Sequence, residues 1–120
     1  MKRQPQLHAW KVTTRKNQSV IMGLRSTPAA RTYAIGKITR PAKGCGPLAA
    51  FRTKINARAF VSTERLRGRI YRCVYQRTRA TKVWYSPSPG YLIEYGIDCL
   101  PKGTILCRSI RLLPPRRRTR

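Results

Sequence analysis

Apolar and polar residues alternate along several short segments of the chain, which is the pattern of a β-strand with one buried face. The clearest segment spans residues 49–59, where one parity is apolar and the opposite parity carries Arg52, Lys54 and Arg58. This segment predicts a strand with a wet, basic face. A second strand is predicted over residues 69–77, which are rich in β-branched and aromatic residues.

A third strand is predicted over Tyr91–Ile97, directly after the turn formed by the sequence Ser-Pro-Ser-Pro-Gly. The only candidate for a helical turn is the segment 62–67. Proline and glycine separate the strands along the chain. Weaker strand signals lie at residues 20–24, 33–39 and 104–112.

Six short strands with turn signals between them predict an all-β protein, folded as a small closed barrel. Residues 1–18 are basic and have no steady period, so we predict an N-terminal arm that is either extended on a partner or left over from a targeting segment. The barrel is predicted over residues 19–112. An arginine-rich tail is predicted over residues 113–120.

The net charge of the chain indicates the kind of partner that it binds. Among 120 residues, 27 are Lys or Arg and 3 are Asp or Glu, which gives a net charge of +24, while 41% hydrophobic residues are enough to form a core. Such a charge opposes compaction, so the neutralising anion is expected from a partner. Arginine outnumbers lysine by 19 to 8, which favours phosphate. No apolar run is long enough to span a bilayer, and the basic residues are spread along the chain instead of lying on one amphipathic helix, so a membrane partner is not expected.

Catalysis and cofactors are not expected. Glu94 and Asp98 would lie about 13 Å apart on one strand, which is too far for paired acid–base work on one bond, and His8 stands alone in the arm. The four cysteines have no metal-ligand spacing, and a reducing compartment would disfavour disulfides.

RNA contacts are predicted at basic turns and strand faces. Alternate residues on a strand lie about 7 Å apart, close to the phosphate repeat of a nucleic acid, so the residues Arg52, Lys54 and Arg58 form a predicted contact row. Trp84 is the candidate for stacking on an RNA base. The remaining predicted contacts are Arg77, Arg79 and Lys82 in one basic turn, and Arg31, Lys37, Lys102, Arg116, Arg117 and Arg118 elsewhere.

From residue 70 onward, the order of strand, basic turn, Pro-Gly turn, aromatic strand and Gly-Thr turn resembles the large-subunit ribosomal protein fourteen family. The resemblance covers about residues 20–112 and rests on the order of several short motifs. These are Val-Tyr-Gln-Arg-Thr-Arg at 74–79, the turn glycine Gly90, Pro-Lys-Gly-Thr-Ile at 101–105, Ala-Arg at 30–31, Ala-Ile-Gly-Lys-Ile at 34–38 and the segment 44–55 that opens with Gly-Cys-Gly.

The resemblance implies a five-stranded small β-barrel with a protruding β-ribbon and no catalytic role. It implies binding to large-subunit rRNA near the intersubunit face, a bridge to small-subunit rRNA, and neighbours from the ribosomal protein three and nineteen families. A ribosome-silencing factor is a further implied partner. Carboxylates of the family are missing here, for example where Pro47 and Pro89 stand. This loss resembles an organellar member, which implies the mitochondrial matrix or another compartment with ribosomes.

Two alternatives remain open. The chain could be a different RNA-binding protein of an organellar ribosome. It could also be a free RNA chaperone of the oligonucleotide-binding barrel type, whose strands would present several exposed aromatic side chains on one face.

Overall fold

A computed structural model of the protein describes residues 6–18, 31–43, 45–63, 68–88 and 90–115, and for residues 85–88 it describes the backbone alone. These ranges contain strands, one α-helix and one 3-10 helix. In chain order the elements are β1 (Leu7–Thr14), β2 (Ile38–Thr39), β3 (Leu48–Phe51), α1 (Lys54–Thr63), β4 (Gly68–Arg77), β5 (Lys82–Ser88), β6 (Tyr91–Gly96), the 3-10 helix (Ile97–Cys99) and β7 (Thr104–Leu112).

Four antiparallel strands close into a small barrel. Hydrogen-bonded neighbours follow the order β2-β7-β3-β1-β4, and β4 also pairs with β7, so that β7, β3, β1 and β4 form a ring. The short strand β2 lies outside the ring and pairs with the end of β7. Strands β5 and β6 form a separate antiparallel ribbon. The prediction of a small all-β barrel is therefore confirmed, with five strands in its sheet.

The predicted N-terminal arm is wrong for Leu7–Thr14, which form β1 in the wall of the barrel. This strand pairs along its whole length with β4. Its inward positions are Ala9, Lys11 and Thr13, all of them buried. Two of these three residues are polar, so the alternation that marks a buried strand is hidden in the sequence. The barrel domain therefore begins with β1 and not at residue 19.

The strand predicted over residues 49–59 is wrong beyond Phe51, where β3 ends. Thr53 starts a helix instead, because its Oγ1 accepts a hydrogen bond from the backbone N–H of Asn56 at 3.1 Å. A threonine in this position satisfies an amide that the first helical turn leaves without a partner. Helix α1 accordingly begins at Lys54.

The buried face of α1 follows a helical period. Ala57 and Phe60 are buried three residues apart, whereas Ile55 is 79% exposed. The Phe60 ring lies 5.2 Å from the ring of Phe51, centroid to centroid, so the helix packs against the outside of the barrel wall. The helical turn predicted over residues 62–67 includes the last two residues of α1, and residues 64–67 lie outside the described residues.

Two clusters of buried side chains lie on opposite faces of the barrel wall. The outer cluster holds the helix and the base of the ribbon against the wall, since it joins side chains of α1 and β5 to those of the barrel strands. The inner cluster comprises Ala9, Tyr33, Leu48, Ala50, Tyr71, Cys73, Cys107, Ile110 and Leu112. The outer cluster comprises Val12, Ala49, Phe51, Ala57, Phe60, Val83, Leu100 and Leu106.

The other strand predictions have mixed outcomes. The strand predicted over 69–77 is confirmed as β4, the one over 104–112 as β7, and Tyr91–Ile97 as β6 apart from its last residue. The strand predicted over 33–39 is formed only by its last two residues, and 20–24 lies outside the described residues. No helix in the described ranges has the length and apolar character needed to cross a bilayer.

Candidate nucleic-acid interface

Positive charge dominates the surface because three acidic side chains cannot neutralise 27 basic ones. Within the described ranges, Lys82 and Glu94 form an ion pair at 2.7 Å. Most other cationic side chains on the barrel strands and turns are exposed. A polyanion is therefore the partner that this surface favours.

One cleft, which we call the arginine cleft, runs along the seam between β4 and β7 and has a volume of about 520 Å³. Arg77, Arg108 and Arg111 line it together with neutral residues. The hydroxyl of Ser109 in β7 donates a hydrogen bond to Oε1 of Gln76 in β4 at 3.0 Å, which links the two strands here. Three guanidinium groups without a carboxylate among the lining residues form an anion-binding surface, and guanidinium matches phosphate in shape.

A second cleft of about 400 Å³ shares Tyr75 and Arg77 with the arginine cleft. Arg52 lines this cleft, and its backbone N–H donates a hydrogen bond to the carbonyl of Gly103 at 2.8 Å. The turn after β3 is thereby tied to the turn before β7. We define the basic face as the four arginines that line the two clefts, which are Arg52, Arg77, Arg108 and Arg111.

The predicted contact row of Arg52, Lys54 and Arg58 is wrong, because the segment is not one strand. Lys54 and Arg58 stand four residues apart on α1, where side chains are neighbours with Cβ atoms about 5–6 Å apart. Both are exposed. Arg52 precedes the helix and belongs to the basic face, so the three charges are divided between two surfaces.

The predicted basic turn of Arg77, Arg79 and Lys82 is also divided. Arg77 ends β4 and lies on the basic face, and Arg79 is exposed between β4 and β5. Lys82 pairs with Glu94 across the ribbon, with about half of each side chain exposed. That pairing reduces the charge that Lys82 offers to an RNA phosphate.

Trp84 packs between the ribbon and the barrel. Its carbonyl accepts a hydrogen bond from the backbone N–H of Gly46 at 2.7 Å. A methyl group added at Gly46 would collide with the six-membered ring of Trp84. One face of the indole is thus covered by the backbone at Gly46, and base stacking by Trp84 stays a prediction.

The remaining predicted contacts lie in loops. Lys37 and Lys102 are exposed in the turns that precede β2 and β7. Arg31 is half-buried near Cys45, where burial raises the pKa of the thiol and the charge of Arg31 acts in the opposite direction. Three predicted contacts lie outside the described residues, namely Arg116, Arg117 and Arg118.

Sequence reasoning missed Arg108 and Arg111, because their spacing of three places them on opposite faces of a regular strand. A β-bulge changes this relation. Gln76 pairs with Ser109 but Arg77 pairs with Cys107, so Arg108 is an extra residue in β7. The bulge brings both arginines to one cleft, and no pattern within residues 104–112 reveals it.

The barrel interior contains a buried lysine. Nζ of Lys11 donates a hydrogen bond to the carbonyl of Ala49 at 2.6 Å and lies 4.9 Å from the centroid of the Tyr33 ring. Burial raises the pKa of Cys73 to about 11 and that of Cys107 to about 12, while the charge of Lys11 lowers both pKa values. These thiols are therefore protonated at neutral pH.

The four cysteines are free thiols. Across the part of the chain that the structure describes, no three side chains of His, Cys, Asp or Glu gather into a group that could hold a metal ion. Glu94 lies in β6 and Asp98 in the 3-10 helix that follows it.

Comparisons of the chain with protein-family models, with curated proteins and with solved structures give no match. We therefore infer the function from the fold, the charge and the basic face.

Proposed function

We propose that the protein is a structural constituent of the large ribosomal subunit, where it binds large-subunit rRNA by neutralising phosphates. The observation that carries this proposal is the basic face. Three separate elements, the turn after β3, the end of β4 and the bulged strand β7, contribute arginines to two adjoining clefts, and no carboxylate is present among the described residues that line them.

Phosphate neutralisation follows from this arrangement. Each guanidinium that meets a phosphate releases condensed counterions, so binding is driven largely by entropy and weakens as salt increases. Strands β4 and β7 are paired on the closed barrel, so Arg77, Arg108 and Arg111 start from a rigid frame. A rigid frame reduces the entropy lost when the side chains bind RNA.

The ribosomal assignment is supported by the order of the sequence motifs together with the fold. The motif at 74–79 ends β4, Gly90 adopts a positive φ of 79° at the ribbon turn, and the motif at 101–105 leads into β7. The small barrel with a two-stranded ribbon has the architecture that the resemblance implies. We propose that the ribbon side faces small-subunit rRNA and contributes to a subunit bridge.

The proposal extends to the setting of the protein. We place it in the mitochondrial ribosome because acid-poor divergence is typical of an organellar member of the family. Its proposed protein neighbours belong to the ribosomal protein three and nineteen families, and a ribosome-silencing factor is a further proposed partner. In this role the protein positions RNA and catalyses no reaction.

Sedimentation of ribosomal particles tests the proposal. Lysates of cells that express the tagged full chain would be separated on sucrose gradients at high and low Mg²⁺, with a parallel separation of purified mitochondria. We expect the tag to follow the large-subunit rRNA under both conditions. Sedimentation with the small subunit would overturn the subunit assignment, and a pool free of ribosomes would overturn the structural role.

A free RNA chaperone of the oligonucleotide-binding type is the second candidate. Such barrels expose several aromatic side chains on one face. Among the described aromatic residues, Tyr33, Phe51 and Tyr71 are buried, Trp10 and Tyr75 of the barrel strands are half-buried, and Tyr91 of the ribbon is exposed. This distribution favours the ribosomal proposal over the chaperone.

A further inference from the structure

A pocket on the outside of the barrel has a chemistry different from that of the basic face. Trp10 of β1 stands directly opposite Arg72 of β4 in the antiparallel register. Nζ of Lys54, the first residue of α1, lies 5.1 Å from the centroid of the Trp10 ring. The three side chains line a cavity of about 580 Å³, which we call the Trp10 pocket.

The opposite side of the Trp10 pocket is apolar. Leu113, Pro114 and Pro115 line it after β7 has ended. The backbone N–H of Leu113 donates a hydrogen bond to the carbonyl of Arg72 at 2.9 Å, which fixes this segment beside β4. The two prolines restrict the backbone further. This side of the pocket is therefore formed by a segment whose backbone is fixed beside β4.

The lining residues favour a ligand that is flat, partly apolar and anionic. The indole of Trp10 and the side chain of Ile70 offer apolar contact, while Lys54 and Arg72 are exposed cations at the same pocket. None of the described residues that line the pocket carries a carboxylate. Its volume falls in the range of about 300–1,000 Å³ that is usual for small-molecule sites.

From these contacts we propose that the Trp10 pocket binds one unstacked nucleotide of an RNA strand. The base lies against the Trp10 ring, and Lys54 and Arg72 hold the adjacent phosphates. This inference rests on the proposed function, since it takes RNA as the partner. It adds a site for a base to the proposed RNA contacts, which at the basic face are contacts with phosphates.

The present contact between Lys54 and Trp10 is compatible with this role. An exposed cation over an aromatic ring contributes less binding energy than a nucleobase stacked on the same ring. The Lys54 side chain is long and exposed, so its ammonium group can leave the ring and meet a phosphate while the base takes its place.

Tryptophan fluorescence tests the proposal directly, because the chain contains two tryptophans. In a Trp84→Phe background, Trp10 is the sole reporter. The full chain would be titrated with an unstructured RNA hexamer and with an abasic RNA of the same length and charge. We expect the hexamer to quench Trp10 and the abasic RNA to leave its emission unchanged. Equal quenching by both RNAs would overturn base binding.

Affinity measurements by anisotropy of labelled RNA, in the chain with its native Trp84, provide the second readout. Trp10→Leu should weaken binding of the hexamer by about 5- to 150-fold and leave binding of the abasic RNA unchanged, while Trp10→Phe should restore most of the affinity. Arg72→Gln, an exposed substitution that spares the core, should weaken binding of both RNAs. Equal affinities of Trp10→Leu and the parent chain for the hexamer would overturn the subsite.

The experiment separates this inference from the proposed function. If the Trp10 variants bind RNA normally and the chain still sediments with the large subunit, the subsite is wrong and the ribosomal role stands. If the parent chain binds neither RNA, the subsite is wrong, and sedimentation of the chain with the large subunit decides the ribosomal role separately. Thermal unfolding of each variant identifies any loss of affinity that results from unfolding.

Discussion

Arg108 and Arg111 line the same cleft although they stand three residues apart in strand β7. The β-bulge opposite Gln76 adds one residue to the strand and thereby turns both guanidinium groups toward the seam with β4. The proposed RNA-binding surface thus depends on a break in the regular strand.

Removal of Arg108 and Arg111, the two arginines that the β-bulge brings to one cleft, should weaken binding to RNA of any sequence. We expect Arg108→Gln with Arg111→Gln to lower the affinity for large-subunit rRNA by about tenfold or more, and to reduce the slope of log affinity against log salt by about one for each lost phosphate contact. Filter binding across a salt series measures both. Arg15→Gln removes one charge from an exposed turn that lines neither cleft; if this control has the same effect per charge, the basic face has no special role.

The attachment of α1 to the barrel should depend on one aromatic contact. Phe60→Ala should lower the free energy of unfolding by about 3–5 kcal/mol, because it removes a buried ring that packs on Phe51. Ile55→Ala, on the exposed side of the same helix, should change it by less than about 0.5 kcal/mol. Urea denaturation compares the two variants. Similar losses for both would contradict the helical burial pattern.

The base of the ribbon should tolerate no side chain at Gly46. A Cβ there would lie 2.8 Å from the backbone nitrogen of Trp84 and would collide with its ring. We expect Gly46→Ala to cost about 1–3 kcal/mol and to shift the Trp84 emission. Gly96→Ala is the matched control, since a Cβ at that glycine meets no atom within 4 Å. Equal stability of the two variants would argue against this packing.

Alkaline pH should destabilise the barrel through its interior thiols. Burial raises the pKa of Cys73 from 9.0 to about 11 in the folded protein, so the native state keeps a proton that the unfolded chain releases. The stabilisation is therefore fully present below pH 9 and is lost as the pH rises toward 11. The urea concentration at the midpoint of unfolding, measured from pH 7 to 11, should decrease between pH 9 and 11. The decrease should be smaller in Cys73→Ala. An identical pH profile in that variant would refute the assignment.

The strands that the sequence predicts correctly are bounded by glycine turn signals. Strand β4 begins at Gly68, the ribbon turns at Gly90, and β7 follows Gly103. Helix α1 was missed because Ile55, Ala57 and Ala59 share a parity by coincidence, although α1 buries residues at a spacing of three. The sequence signal for the start of α1 is the capping residue Thr53, which an alternating pattern does not reveal.

The sequence predicts the kind of ligand that the candidate site binds but not which residues form the site. Excess arginine indicates a phosphate partner, but the residues that meet in one cleft depend on strand pairing and on the bulge in β7. Trp10 stands opposite Arg72 because β1 and β4 pair across a long stretch of chain, and β1 itself was hidden by its polar inward positions. Long-range register is set by the packing of the whole barrel and leaves no local pattern in the sequence.

A density map of the assembled ribosomal particle, purified through a tag on this chain, would show whether the basic face contacts RNA. We expect the barrel to lie on large-subunit rRNA with Arg77, Arg108 and Arg111 within hydrogen-bonding distance of backbone phosphates. A map in which these guanidinium groups face solvent, or face protein alone, would contradict this expectation.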